Sequence, residues 1–252
     1  MQRPRALALA AAALLALVPP GCGSNGDSAV DEGVLARAAE RMGRETSSRY
    51  EFEMEVDTKK DGDFGFSGGG TTNSDGSRGR LDGELTVDGE EFPVEMIVRG
   101  SVIYMATPRF EEVLPKGKRW VRLADDSAPA QTMTHEEFIE MLRASGDVEG
   151  GSAERIRGRQ TTHYSAKVEM DELLDHAPED ARRKYEHLRG ADFEMPIEAW
   201  IDEEGLLRRI EIDLERDGES VRMTADIVEY GTPVKADLPP AGQTVDEAAI
   251  SG

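Results

Sequence analysis

A glycine-flanked serine and a short acidic loop are the two stretches of this sequence whose residue types and spacing most resemble a reactive site. Residues 65–69 (Gly-Phe-Ser-Gly-Gly) match the Gly-x-Ser-x-Gly pattern of a hydrolase nucleophile elbow. That motif requires a helix directly after its turn, and residues 70–74 (Gly-Thr-Thr-Asn-Ser) do not open one readily. The loop over residues 57–62 begins like an EF-hand, but Lys59 stands at a ligand position and Gly68 replaces the closing glutamate. Neither stretch predicts a catalytic or a calcium site.

Histidine and cysteine are scarce, which limits metal and nucleophile chemistry. The chain has 252 residues with four histidines and one cysteine, so an internal disulfide framework and a thiolate zinc site are excluded. His163 could act as a general base, but spacing fixes no carboxylate partner for it, and we expect it to pack on a strand face. We therefore predict a protein that is not an enzyme, with no catalytic residue, metal ligand or cofactor. An exported hydrolase stays open as an alternative.

The charge balance is strongly acidic and excludes one class of partner. There are 30 Lys and Arg against 51 Asp and Glu, a formal net charge of −21 at pH 7. A surface of this sign repels a phosphate backbone, so we expect no nucleic acid as partner. The same sign argues against adhesion to an anionic membrane through a basic patch.

The N-terminus indicates export. Residues 1–21 read as a signal peptide, with a basic start at Arg3 and Arg5 and an unbroken apolar run over residues 6–18. The run has the length of a signal-peptide core and is too short to span a bilayer. Cys22 follows directly, and residues 22–30 are a short polar tether.

This arrangement resembles a bacterial lipoprotein signal, in which Cys22 is diacylated and becomes the first residue of the mature chain. Two acyl chains would anchor the protein to the outer face of the cytoplasmic membrane without any basic patch. Lipoprotein signals usually carry leucine and a small residue where this chain has Pro19 and Pro20. The alternative is a secreted protein with an unmodified cysteine.

Apolar and polar residues alternate along most of the remaining chain. This pattern is typical of antiparallel strands with one solvent-exposed face. Residues 48–56 place Tyr50, Phe52, Met54 and Val56 on one face and glutamates on the other. Further strands are predicted over residues 64–72, 78–87, 90–99, 102–106, 119–123, 154–157, 161–170, 194–202, 206–216 and 219–230.

Three helical segments and two irregular segments complete the pattern. Helical spacing is found over residues 31–46, after the capping box at residues 134–137, and over residues 171–188 with a break at Pro178. Residues 146–152 are predicted as a loop, and the chain from Gly231 as proline-punctuated coil.

These elements predict one α+β domain over residues 31–246, with residues 247–252 as a tail, because no linker separates two domains. An antiparallel sheet of about eleven twisted strands has to curl, split or close. Its apolar face then becomes the inside of a trough, and the helices are the only material available to fill it. A concave apolar sheet that helices fill incompletely is a ligand cavity.

Short motifs in a fixed order resemble a known family. They are the export signal with Cys22, a short helix, a Tyr-x-Phe-x-Met-x-Val strand, and then residues 117–123 (Gly-Lys-Arg-Trp-Val-Arg-Leu), 161–164 (Thr-Thr-His-Tyr), 199–206 (Ala-Trp-Ile-Asp-Glu-Glu-Gly-Leu) and 208–210 (Arg-Arg-Ile). In that order they resemble the LppX/LprG group of actinobacterial lipoproteins, relatives of the LolA lipoprotein carriers. The resemblance spans Asp31 to Asp246.

The resemblance implies a half-open β-barrel of about eleven strands with helices on its concave side. Members of the group bind or carry lipids in the cavity between sheet and helices, and no catalysis is attached to the fold. The implied partners are the acyl chains of lipids or lipoproteins and, through an acylated Cys22, the membrane. A transporter or other envelope partner is not identified by the sequence.

Ten apolar residues are the candidate lining of such a cavity. Methionine suits a deformable lining because its side chain is flexible and polarisable. The alternative is that all ten form a closed core. The walls are Phe52, Met54, Val94, Met96, Ile197, Ile212 and Met223, and the lid is Phe138, Met141 and Leu142.

The function predicted from these features is that of an exported, membrane-anchored lipoprotein that binds acyl chains and carries lipid or lipoprotein across the cell envelope. The alternative is a non-enzymatic cell-surface interaction or envelope-assembly module on the same scaffold. A cavity large enough for acyl chains favours the first, and a filled trough with an exposed apolar patch favours the second.

Overall fold

The computed structural model describes residues 33–58, 62–123, 135–176, 182, 186, 189–190, 194–216 and 218–249. The α-helices are α1 (Val34–Met42), α2 (His135–Arg143) and α3 (Met170–His176), with 3₁₀ turns at Pro108–Glu112, Ala241–Gln243 and Glu247–Ala249. The strands are β1 (Ser47–Thr58), β2 (Gly62–Asn73), β3 (Arg78–Val87), β4 (Glu90–Arg99), β5 (Val102–Ala106), β6 (Trp120–Leu123), β7 (Ser145–Ile156), β8 (Arg159–Glu169), β9 (Glu194–Asp202), β10 (Leu207–Arg216), β11 (Glu219–Tyr230) and β12 (Thr244–Asp246).

All twelve described strands belong to one curved, unclosed sheet in the order β12-β6-β5-β4-β3-β2-β1-β11-β10-β9-β8-β7. The chain starts in the middle of this sheet. From β1 to β6 each strand is added beside the last, and from β7 the chain returns from the far edge until β11 pairs with β1. Every pairing is antiparallel except that of β12 with β6.

The core lies on one face of the sheet because buried apolar and exposed polar residues alternate along the strands. Along β1, Phe52 and Met54 are buried while Glu51, Glu53 and Glu55 are exposed. The buried face is the concave one, and the helices pack against it. The exposed glutamates lie on the convex face, as expected for a strand with one solvent-exposed face.

Helix α1 covers part of the concave face. Its residues Leu35, Ala38, Ala39 and Met42 are buried at i, i+3, i+4 and i+7 spacing, which is one stripe of an α-helix. Gly43 ends the helix, and its N–H donates to the Ala39 carbonyl at 2.9 Å. Helix α2 packs beside α1 and buries its own apolar stripe in the same cluster.

The structure corrects two of the predicted irregular segments. Residues 146–152, predicted as a loop, belong to β7, whose pairing with β8 shifts register between Gly146 and Glu149 and again between Gly150 and Ser152. The chain after Gly231, predicted as coil throughout, adds β12 to the sheet edge. The helix predicted over residues 171–188 is described only as far as His176.

The predicted signal peptide, Cys22 and the tether lie outside the described residues. Among the residues that the structure does describe, no helix is long and apolar enough to cross a membrane. The boundaries proposed for signal, tether, domain and tail therefore remain predictions.

Candidate functional site

The structure brings all ten predicted lining residues into one buried apolar cluster on the concave face. Each is at most 7% exposed. Five of the ten methionines of the chain are buried in this cluster, so its surface can deform more readily than one built from branched side chains. These methionines are Met42, Met54, Met96, Met141 and Met223.

The walls form rows that run across neighbouring strands. Met54 on β1 is the partner of Met223 on β11, which pairs with Ile212 on β10, which in turn pairs with Ile197 on β9. In an antiparallel sheet such directly opposed residues point to the same face. The sequence predicted these residues one strand at a time, and the register places them side by side.

The other side of the site is made by helices. Phe138, Met141 and Leu142 of α2 are at most 6% exposed and pack in the same cluster as the walls. His135, at the start of α2, is buried, and its Nε2 donates to the Met42 carbonyl at 3.1 Å, which ties α2 to the end of α1. Burial lowers the pKa of His135, so the neutral ring is favoured in the folded protein.

Glycines let the sheet curl tightly around this site. Gly68 and Gly83 are directly opposed on β2 and β3, and Gly70 is opposed to Leu81. A Cβ at Gly68 would lie 2.6 Å from the Asp82 carbonyl oxygen, and one at Gly70 would lie 2.1 Å from that of Arg80. Such distances leave no room for a side chain, so this bend depends on glycine.

The helices cover one end of the trough. His135 lies edge-on to the Tyr230 ring at 6.1 Å, and the Tyr230 hydroxyl donates to the Leu207 carbonyl at 2.8 Å, at the start of β10. Burial raises the pKa of Tyr50 and Tyr230 well above the usual range, so both phenols are neutral in the folded protein. The buried Arg208 guanidinium lies 5.2 Å from the centre of the Tyr230 ring and is paired with Asp202 at 2.6 Å, so the charge at this end is balanced within the protein.

The opposite end of the trough carries a continuous apolar row that is only partly buried. Its five members are successive partners on β10, β11, β1, β2 and β3. Each is of intermediate exposure, in contrast to the buried rows further along the same strands. We call this the open row: Leu214, Val221, Val56, Phe64 and Val87.

Charged residues concentrate on the convex face, away from the trough. Asp226 on β11 accepts hydrogen bonds from Arg209 Nε at 2.6 Å and from Arg157 Nε at 2.7 Å. Burial opposes ionisation of Asp226, but the hydrogen bonds from both arginines outweigh it and lower the pKa of this carboxyl. The carboxylate is therefore ionised and fixed on the outside of the sheet.

His163 also lies on the convex face, and it has the carboxylate partners that spacing could not identify. Its Nε2 is 2.7 Å from Glu198 Oε2 and its Nδ1 is 3.4 Å from Glu154 Oε1. The ring stacks on Trp200 at 4.4 Å. The three neighbours come from β7 and β9, the strands on either side of β8, so only the sheet register brings them together.

The serine motif does not have the context of a nucleophile elbow. Ser67 sits in the middle of β2, opposite Glu53 and Glu84, and the strand continues to Asn73. A nucleophile elbow needs a strand, a sharp turn and a helix. Within the described ranges, no group of three His, Cys, Asp or Glu residues could hold a metal ion.

Comparison by sequence finds a relative in Streptomyces griseus. No family model matches the chain. An uncharacterized 31.2 kDa protein from the rplA-rplJ intergenic region of Streptomyces griseus is 30% identical over 149 residues, covering 52% of this chain and 48% of that protein. The chain thus spans about half the length of the curated relative that it matches.

Comparison by structure identifies the fold. The crystal structure of LprF from Mycobacterium bovis superposes with a TM-score of 0.54 at 14% identity, covering 83% of this chain and 97% of LprF. The lipoprotein LppX from Mycobacterium tuberculosis matches with a TM-score of 0.49 at 18% identity, covering 82% of this chain and all of LppX (100%). At these identities the likeness concerns the fold alone. The single unclosed sheet, the helices on its concave face and the match to LprF together confirm the predicted LolA/LppX-like half-barrel of the LppX/LprG type.

Proposed function

We propose that this protein is an exported lipoprotein that binds lipid acyl chains in the trough between its curved sheet and its helices, and that it carries lipid or lipoprotein across the cell envelope. The single observation that carries the proposal is the open row, a band of partly buried apolar side chains that continues the buried rows of the concave face. An apolar surface of this kind is suited to an apolar ligand.

The energetics of acyl-chain transfer favour such a trough. Exposing a 16-carbon chain to water costs roughly 13 kcal/mol at about 0.8 kcal/mol per methylene, so free lipid crosses an aqueous gap very slowly. Transfer from a bilayer to an apolar trough is close to neutral, because both surroundings are apolar. A carrier therefore needs shape and dryness more than polar contacts, and the methionine-rich apolar cluster that contains Met54 and Met223 supports this proposal.

The predicted N-terminal signal supports a proposal about anchoring and location. We propose that Cys22 is acylated and holds the protein at the outer face of the cytoplasmic membrane. The acidic body, with a chain charge of −21, is repelled by anionic headgroups, so the tether would keep it in the aqueous space where a carrier works.

A fluorescent fatty acid titration tests the proposal with a matched pair of variants. Met54 and Glu53 are adjacent on β1, but Met54 is buried in the trough and Glu53 is exposed on the convex face. We expect Met54→Trp to fill the trough and weaken binding of the probe at least tenfold. Glu53→Trp, which adds the same side chain to the outside, should bind as the unchanged protein does.

A third variant separates loss of the cavity from loss of folding. Met54→Ala removes volume from the same position, so it should keep or improve probe binding if the trough is the site. Equal binding by Met54→Trp and Glu53→Trp, with both variants folded by circular dichroism, would refute the trough as the binding site. No saturable binding by the unchanged protein would refute the proposed function.

A further inference from the structure

A groove that includes several charged side chains lies on the convex face of the sheet, on the side opposite to the trough. Its volume is about 590 Å³. Strands β1, β2 and β3 form its floor and sides, and the segment that follows β11 forms one rim. The lining residues are Arg49, Tyr50, Glu51, Gly69, Gly70, Thr71, Arg80, Asp82, Thr232, Pro233 and Lys235.

The lining of the groove holds one more cation than carboxylate, although the net charge of the chain is −21, and Arg80 also pairs with Glu95 at 3.0 Å. Three cations line the groove, Arg49 and Arg80 on the strands and Lys235 on the rim, against the two carboxylates Glu51 and Asp82. Both carboxylates are already engaged. Asp82 accepts from Arg80 Nε at 3.0 Å and from a second Arg80 nitrogen at 2.9 Å, and Glu51 accepts from Arg157.

Three hydrogen-bond donors of the groove, on Arg49, Lys235 and Thr232, have few acceptors among the described residues. Arg49 makes a single 3.3 Å contact with Glu229, with both side chains about half exposed, so most of its five N–H donors are free for another partner. Lys235 is exposed and has no ion pair within the described ranges. The Thr232 hydroxyl oxygen is buried without a hydrogen-bond partner among the described residues, and rotation about χ1 would make it a further donor.

On β2, Gly69 is opposed to Glu51 and Asp82 and leaves that part of the floor of the groove without a side chain. Thr71 is opposed to both Arg49 and Arg80, so its side chain lies between the positions of the two arginines. A planar guanidinium, an ammonium and a hydroxyl are the donor types that recognise a phosphate group. A ligand in the groove would meet Arg49 and Thr71 on the strands and Thr232 and Lys235 on the rim.

We propose that this groove is a binding site for a phosphate-class oxyanion, either a free phosphate compound or the phosphate of a lipid headgroup. The proposal is independent of acyl-chain binding, since the groove and the trough are on opposite faces of the sheet. Arg49 and Lys235 supply the charge, and Thr232 supplies a neutral donor.

Isothermal titration with inorganic phosphate tests the site in the folded full chain. We expect saturable binding that weakens at least tenfold in the double variant Arg49→Gln/Lys235→Gln and several-fold in Thr232→Val. The control is Arg222→Gln, which removes a convex-face arginine that contacts Glu55 at 3.6 Å and Asp213 at 3.7 Å, outside the groove. This control should bind phosphate as the unchanged protein does.

A second arm distinguishes the two sources of phosphate. Co-sedimentation with phosphatidylglycerol vesicles, lost in the double variant and kept in Arg222→Gln, would assign a lipid headgroup even where free phosphate binds weakly. Binding of free phosphate without vesicle binding would assign a soluble phosphate compound. If neither probe binds, or if the double variant and the Arg222 control behave alike, the groove is not an oxyanion site.

Discussion

The curvature of the sheet depends on Gly70, and a single methyl group there should test this. The Cβ of an alanine at this position would lie 2.1 Å from the Arg80 carbonyl oxygen and 3.0 Å from the Leu81 Cα. Ordinary contacts to a Cβ are 3.4–4 Å, so β2 and β3 would have to separate by more than about 1 Å, against a normal strand spacing of about 4.8 Å. Both nearest groups are backbone, and no side-chain rotation can relieve the contact.

The expected cost follows from that displacement. Weakening two or three ladder hydrogen bonds at about 1 kcal/mol each, or the equivalent overpacking strain, predicts that Gly70→Ala lowers the free energy of unfolding by about 2–3 kcal/mol. The control is Gly146→Ala on β7, where a Cβ would meet nothing within 4 Å. That variant should stay within about 0.5 kcal/mol of the unchanged protein or gain slightly.

Urea unfolding followed by tryptophan fluorescence measures both variants on the same chain. The two variants make the same chemical change, so their difference isolates the close approach of β2 and β3. If Gly70→Ala is as stable as Gly146→Ala, the tight curl at this point does not require glycine, and the account of how the trough is shaped is wrong.

Two further predictions concern buried ionisable groups. Asp202→Asn should lower the free energy of unfolding by about 3–5 kcal/mol because it leaves the buried Arg208 without its 2.6 Å partner. Glu204→Gln, at the exposed end of the same arginine, should cost less than about 1 kcal/mol, and equal losses for the two would contradict the buried pair. Because the pKa of His135 is lowered by burial, its stabilising contribution is present above its unfolded pKa of about 6.5 and is lost as pH falls through the folded pKa. The unfolding free energy should therefore fall less between pH 7.5 and pH 5 in His135→Gln than in the unchanged protein. The glutamine amide can still donate to the Met42 carbonyl. An equal fall in both proteins would show that His135 is not the group responsible.

Most strands could be predicted because each buries one face. Period-two alternation is the pattern of a half-buried strand, and it places Phe52 and Met54 of β1, and Val94 and Met96 of β4, on the concave face. The hairpin between β3 and β4 turns at Asp88-Gly89, a pair that favours tight two-residue turns, and both residues have positive φ, 52° and 80°.

Only the end of β7, from residue 154, was predicted as a strand, because the rest of β7 buries almost nothing. It is the last strand of the sheet, its residues from Glu149 to Arg155 are all exposed, and glycines accompany both of its register shifts. The sequence there has the composition of a loop. Only hydrogen bonding to β8 makes it a strand, and that is a long-range property which local patterning does not record.

The burial of the ten candidate lining residues was predicted one residue at a time, but their arrangement in rows was not. Alternation identifies the buried face of a strand, whereas the rows depend on register, which the hairpins and bulges set together. The groove on the convex face escaped prediction for the same reason. Arg49, Arg80 and Lys235 are separated by 31 and 155 residues in the chain, and no spacing rule connects them.

Native mass spectrometry of the full chain, purified from a bacterial host without added lipid, tests the central claim most directly. The account predicts a lipid adduct that dissociates as an intact phospholipid or glycolipid, that is retained in Glu53→Trp and that is lost in Met54→Trp. A bare protein mass that stays bare after incubation with liposomes would contradict the claim that the trough binds acyl chains.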